Sequence, residues 1–302
     1  MTDKDKNTNS LVFITEKFMK ERLTITLDTE LLKELDSTID GVNIRNRSHA
    51  IERLLSIVLE QAAPKKAVIL AGGEVINTKH QTGVPKPMLL VNERPILEYV
   101  VRELKRNEIT EILIAIGRGG EKITEYFGDG SLFGVKISYI REDSPKGTAN
   151  AIVLAKGLVG SSPFFVINGD NIFKINLQDM YKQHISTKAE ITIALYPADI
   201  TTGFGVTKLD GFKVTSFLEK PTDEKGKLIS AGVYIFNQSI FETIKREKLN
   251  HITLEKNIFP KLAAEGKLFG YAFSSPWYPL ESKNIEGSLR LLAKIANSIE
   301  RS

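Results

Sequence analysis

The sequence predicts two units, a small β-α-α segment followed by a larger α/β domain with a mixed, mostly parallel sheet. Three observations predict this. Residues 22–27 alternate polar and apolar side chains ahead of two stretches with helical spacing. From Lys66 onward, short apolar runs alternate with amphipathic stretches. The first of those runs leads into Ala71-Gly72-Gly73, a turn where backbone can approach a phosphate. A chain of 302 residues also exceeds the usual size of one domain.

Composition narrows the chemistry. The chain has no cysteine, which excludes disulfides, thiolate metal sites and cysteine nucleophiles, and its four histidines are scattered. Any metal would therefore take oxygen ligands. No run of about 18 apolar residues occurs, and Met1 to Ser10 is polar, so no membrane partner and a cytoplasmic location are expected. The net charge is +4, yet residues 1–62 carry nine Lys/Arg against eleven Asp/Glu. Bulk charge thus makes no case for nucleic acid there; pattern has to.

In the first unit, Arg22, Thr24 and Thr26 alternate with Leu23, Ile25 and Leu27, one short strand with one apolar face. Asp28 or Thr29 caps a helix carrying Leu31, Leu32 and Leu35, and Gly41 follows its end. After a polar turn, Ser48 caps a second helix with Ile51, Leu54, Leu55 and Val58 in a stripe. One strand and two helices close no core. The strand needs a partner, and the same strand of a second copy across a two-fold axis supplies one. Residues 1–19 are expected to form a flexible arm. Strand polarity, Ser48 and the preceding Arg45 and Arg47 make residues 20–62 resemble the ribbon-helix-helix family. That resemblance implies a homodimer on double-stranded DNA, with Arg22, Thr24 and Thr26 facing base edges and the amides at Ser48 holding a phosphate. The alternative is a clip that only dimerises.

A short link, Glu60 to Lys66, leads into the larger unit. Apolar strands are expected at Lys66 to Leu70, Glu111 to Ile116, Pro163 to Ile167 and Ile191 to Leu195, with helices at Ile96 to Asn107, Ala149 to Gly157 and Leu289 to Ile299. Through this pattern run Leu70-Ala71-Gly72-Gly73, Pro85-Lys86-Pro87-Met88, Lys146-Gly147-Thr148-Ala149, Asn168-Gly169-Asp170, Phe204-Gly205-Val206, Glu219-Lys220-Pro221 and Ala231-Gly232-Val233-Tyr234. In this order they resemble the sugar nucleotidyltransferases, which make nucleotide sugars from a nucleoside triphosphate and a sugar 1-phosphate. The resemblance implies a Rossmann-like domain over residues 66–302. It also implies roles: Ala71, Gly72, Gly73 and Lys86 meet nucleotide phosphates, and Gly147 with Thr148 shapes the base or ribose pocket. Gly205, Glu219, Lys220 and Gly232 hold the sugar phosphate, and Asp170 holds Mg²⁺. Lys86 and Asp170 would be the catalytic pair.

Two departures stand out. The family's Gly-Thr-Arg triplet is replaced by Glu74-Val75-Ile76-Asn77-Thr78-Lys79-His80, which removes an arginine from the phosphates and leaves Lys79 as a substitute. Near Trp277, the family's metal-binding aspartate is Pro279, with Glu281 a replacement carboxylate close by. A retained pocket with altered catalytic positions, fused to a DNA-binding module, favours a regulator that senses a nucleotide, sugar phosphate or nucleotide sugar. The alternative is an active sugar-1-phosphate nucleotidyltransferase dimerised by its first unit.

Overall fold

The computed structural model describes residues 22–61, 64–76, 83–142, 146–222, 225–281 and 284–301. The expected arm 1–19 and the loop residues Lys79 and His80 lie outside the described residues. The chain forms two compact units, divided after Val58.

In the first unit, α1 (Thr29–Ser37) begins where Asp28 accepts the N–H of Glu30 at 2.7 Å. The connecting turn is organised by Asp40. Its Oδ1 accepts the N–H groups of Val42, Asn43 and Ile44, which hold the carboxyl far below the usual carboxylate range. Gly41 takes φ +74° there. Helix α2 (Arg47–Gln61) is capped by Asn46, whose Oδ1 accepts the N–H of His49 at 2.9 Å. This corrects the expectation for Ser48, which lies inside the first turn. The helix starts two residues earlier than a Ser48 cap would place it, because Asn46 reaches the free His49 amide. Arg47, expected on DNA, makes a bidentate pair with Asp36 at 2.7 Å for both contacts. Residues 22–27 form no ladder among the described residues. Leu23 is 78% exposed and Ile25 44%, since within one chain nothing covers their face.

The larger unit is built around β1 (Lys66–Leu70), whose Ala67, Val68 and Ile69 are fully buried and so are covered on both faces. Two short ribbons follow, β2 (Val75–Ile76) with β3 (Val84–Pro85) and β4 (Leu90–Val91) with β5 (Arg94–Pro95). Helix α3 (Ile96–Arg106), β6 (Glu111–Ile116), α4 (Glu121–Phe127), β7 (Lys136–Arg141), α5 (Thr148–Ala155) and β8 (Phe164–Asn168) complete the first half. The second half runs through β9 (Asn171–Phe173), α6 (Leu177–Thr187), β10 (Ile191–Ile200), β11 (Gly205–Asp210), β12 (Lys213–Glu219) and β13 (Lys225–Phe236). It ends with α7 (Ile240–Lys245), a turn at Leu254–Ile258, α8 (Phe259–Ala264), β14 (Leu268–Ala272), β15 (Trp277–Pro279) and α9 (Ile285–Glu300).

Among the described residues, nine strands form one sheet in the order β10-β14-β12-β11-β13-β8-β1-β6-β7. The run β8-β1-β6-β7 is parallel, but β8–β13, β13–β11, β11–β12 and β12–β14 are antiparallel. The sheet is therefore mixed, and the expectation of a mostly parallel one is corrected. Strands β11 and β12 are joined by the tight turn at Gly211 and Phe212, which only antiparallel neighbours permit, and β13 returns on the other side of β11. Two clusters of buried residues cover the faces, one around Val100, Leu104, Ile114 and Ile167, the other around Val68, Ile152, Val166 and Phe259.

His184 of α6 is buried, with Nδ1 2.8 Å from the Thr192 hydroxyl, and loss of water lowers its pKa from 6.5 to about 4. The folded pKa lies below the unfolded one, so this group's contribution is full above pH 6.5 and is lost as pH falls towards 4. The whole effect is about 3 kcal/mol. Thermal unfolding of His184→Gln should lose less stability than wild type between those pH values. Parallel slopes for the two proteins would rule the histidine out as the cause.

Candidate active site

The exits of three parallel strands surround a cleft of about 910 Å³, lined by Gly72, Gly73 and Glu74 after β1, Gly117 and Arg118 after β6, and Glu142 after β7. This is the carboxyl edge of the sheet, where open α/β folds bind ligands. Ala71 still pairs with β6, donating to the Ala115 carbonyl at 2.9 Å. Gly72 then passes so close to β6 that an added Cβ would lie 3.3 Å from the Gly117 nitrogen. Gly73 differs. It is exposed, and a Cβ there would meet nothing within 4 Å. Its open backbone suits close approach of a ligand.

Lys86, after β3, is directed back into this edge. Its Nζ stands 3.2 Å from Glu74 Oε2, and its N–H donates to the Glu74 carbonyl at 3.2 Å. Glu74 thus holds the lysine expected on phosphate. The Lys86 charge also acts on Asp170, opposing the burial that pushes the Asp170 carboxyl upward.

Asp170 sits between β8 and β9. Asn171 donates from Nδ2 to the Ala231 carbonyl at 2.8 Å, and Trp277 Nε1 donates to the same oxygen at 3.0 Å. Gly232 takes φ +71°, and a Cβ would fall 2.6 Å from Asn168 Nδ2. Here glycine is required by packing against the Asp170 turn. Strand β15 pairs with β9 so that Pro279 faces Asn171, while Leu280 donates to the Asp170 carbonyl at 2.8 Å. Position 279 therefore lies beside Asp170, and the residue there has no carboxylate. Glu281, the carboxylate expected to stand in for it, accepts the Tyr278 hydroxyl at Oε1 at 3.0 Å. Among the described residues no group of three His, Asp or Glu side chains converges on a metal position. A metal cage of protein ligands alone is absent from that set.

Gly205 and Glu219 face each other across β11 and β12, with Lys220 Nζ 3.5 Å from Glu219. Burial and the nearby Glu255 raise the Glu219 carboxyl. Gly205 has an internal reason to be glycine, since a Cβ would strike the Phe217 ring at 2.3 Å. Gly147, at φ +94°, likewise leaves only 2.1 Å between its would-be Cβ and the Ile252 carbonyl oxygen. Thr148, expected in the base or ribose pocket, accepts the Leu254 N–H at 2.9 Å and donates to Glu255 at 3.0 Å. It fastens its loop to the turn that carries Glu255. The structure thus gathers Gly72, Gly73, Lys86 and Asp170 at one edge, and Glu219, Lys220 and Glu255 at a second position on the sheet. Arg22, Thr24, Thr26, Arg45, Arg47 and Ser48 belong to the other unit.

Sequence reasoning missed Glu255, which had no motif around it. It also missed Arg118, although Gly117-Arg118-Gly119-Gly120 directly after an apolar strand is a visible loop signal.

The profile of the nucleotidyl transferase family matches residues 66–278. This chain belongs to that family. Among its relatives, a probable mannose-1-phosphate guanylyltransferase of rice is 32% identical over 219 residues, 70% of this chain and 60% of that protein. A D-glycero-alpha-D-manno-heptose 1-phosphate guanylyltransferase of Aneurinibacillus thermoaerophilus is 32% identical over 208 residues, 68% of this chain and 88% of the relative. A Bacillus anthracis protein assigned as a glucose-1-phosphate thymidylyltransferase, solved with sucrose, superposes with a TM-score of 0.68 at 27% identity, covering 76% of this chain and 94% of its own. The chain spans 52 to 66% of the length of the first three curated relatives it matches. The profile match lies in the larger unit, and these findings give the DNA reading of the first unit no support. Among the described residues no helix is long and apolar enough to cross a membrane.

The two kinds of glycine can be separated. Gly147→Ala should destabilise the fold by at least about 2 kcal/mol, through both φ and contact. Gly73→Ala should leave the melting temperature nearly unchanged and weaken nucleotide binding. A stable, nucleotide-binding Gly73→Ala protein would show that the exposed glycine has no ligand to meet.

Proposed function

We propose that this chain is a sugar-1-phosphate nucleotidyltransferase, joining a nucleoside triphosphate to a sugar 1-phosphate with release of pyrophosphate. The observation that carries the reading is Lys86, which links the Gly72–Gly73 edge to Asp170 in one charged group. The triphosphate lies along the Gly72–Gly73 backbone with Lys86 neutralising its charge. The sugar phosphate is received near Glu219 and Lys220, where the carboxylate accepts from sugar hydroxyls and the ammonium meets phosphate. A phosphate oxygen of the sugar then forms a bond to the α-phosphorus as the bond to the pyrophosphate oxygen breaks. The guanylyltransferase relatives make GTP with mannose 1-phosphate the first pair to try.

Magnesium is commonly held by one or two carboxylates together with substrate phosphates, so Asp170 alone suits it once the triphosphate is present. When bound there the ion would neutralise charge at the transferring phosphorus. Pro279 removes the second carboxylate, so turnover should be slow and Pro279→Asp should raise kcat about tenfold or more. Pyrophosphate release from a panel of nucleoside triphosphates and sugar 1-phosphates checks this, with Asp170→Asn expected to abolish it. Release by Asp170→Asn at the wild-type rate would refute the assignment.

A second reading concerns residues 22–61. The exposed Leu23 and Ile25 alternate with Arg22, Thr24 and Thr26, which favours pairing with the same segment of a second copy. The resemblance to ribbon-helix-helix proteins would then put Arg22, Thr24 and Thr26 on DNA, without Arg47, which Asp36 holds. Light scattering should give a dimer that Leu23→Lys with Ile25→Lys converts to monomer, and sequence selection should enrich a repeated site that Arg22→Ala weakens by about 1–3 kcal/mol. A wild-type monomer would end this reading; a dimer with no enriched site would leave only the dimerisation clip.

A further inference from the structure

The proposed reaction makes pyrophosphate the leaving group, and such a group departs only as fast as its charge is neutralised. The cationic arginine of the family's first loop is missing here. Of the cations at the cleft, Lys86 is 3.2 Å from Glu74, and Arg141 pairs with Glu121. Arg118 also lines the cleft, and among the described residues it has no ion-pair or hydrogen-bond partner.

The loop that carries Arg118 is built against the walls of this cleft. Gly117 is within 3.2 Å, measured from its would-be Cβ, of the Gly72 Cα. Gly119 takes φ +76° and would place a Cβ 3.3 Å from Pro85 Cγ and 3.6 Å from Val75 Cγ2, so it lies on the β2–β3 ribbon that leads to Lys86. Gly120 closes the turn by donating to the Gly117 carbonyl at 3.1 Å, and a Cβ there would be 2.7 Å from Ile116 Cβ. Gly117 and Gly119 wedge the loop between the β1 exit and the ribbon, and Gly120 closes it on Ile116, leaving one long cationic side chain at the rim.

We propose that Arg118 binds the β- and γ-phosphates of the nucleoside triphosphate and stabilises the departing pyrophosphate, replacing the loop arginine that this chain lacks. The inference rests on the function proposed above. As the sugar phosphate oxygen bonds to the α-phosphorus, the electron pair of the breaking P–O bond moves onto pyrophosphate, and no proton is transferred. The guanidinium fork takes two of its oxygens at once, which an ammonium cannot do.

Calorimetric titration with each of ATP, GTP, CTP, UTP and dTTP, and with the matching monophosphates, tests the assignment. For the base that wild type accepts, Arg118→Ala should weaken triphosphate binding about 10- to 100-fold and change monophosphate binding less than twofold. In the reverse reaction it should raise KM for pyrophosphate and leave KM for the nucleotide sugar unchanged. Arg118→Lys should recover part of the loss, and Lys79→Ala should have the smaller effect. An unchanged triphosphate affinity in Arg118→Ala, an equal loss for mono- and triphosphate, or a larger loss in Lys79→Ala would overturn this inference alone. A wild-type protein that binds no nucleoside triphosphate would overturn both this inference and the proposed function.

Discussion

The carbonyl of Ala231 is the point on which the larger unit turns. Strand β13 bulges there: Ile193 faces Tyr234 and Leu195 faces Ser230, so one residue of β10 is spanned by three of β13. The bulge takes the Ala231 oxygen out of the ladder and offers it to Asn171 and Trp277. A buried acceptor with two donors is costly to break, since each freed group would be left unsatisfied. This single oxygen joins β13, the β8–β9 turn and β15 where the parallel half of the sheet meets the antiparallel half. Asp170 and Pro279 take their places from it.

The parallel half then dictates where charge can gather. β1, β6 and β7 all end at one edge, and their exits bring Gly72, Gly117 and Glu142 around a common space. Cations at this edge face acids, Glu74 against Lys86 and Glu121 against Arg141. Each pairing holds a cation in position and offsets part of its charge. The triphosphate would have to compete with those acids, which is why an arginine outside both pairs matters.

In the first unit, local polar contacts do what a core does elsewhere. Asp28, Asp40 and Asn46 satisfy helix-end and turn amides, and Asp36 with Arg47 clamps the two helices. Among its described residues, Leu35 and Ala50 are the buried apolar ones. Such an arrangement sets helix geometry while leaving Leu23 and Ile25 exposed, the condition under which a second copy would gain most by covering them.

By itself the sequence determined the elements whose cause is local. Apolar runs placed β1 and β6 at their observed bounds, Asp28 capped α1, and the ordered motifs located the Gly72–Gly73 turn, the Asp170 turn and the Glu219–Lys220 strand end. Only the tertiary structure decided what depends on partners distant in the chain. The antiparallel half of the sheet, the turn of Glu281 towards Tyr278 and the fastening of Thr148 to Leu254 and Glu255 are of this kind. Gly205 and Gly73 look alike in a motif, yet one is filled by the Phe217 ring and the other faces open space. Whether a glycine, a carboxylate or an arginine is free for a ligand depends on which neighbours satisfy it, and those neighbours arrive from residues up to a hundred or more positions away.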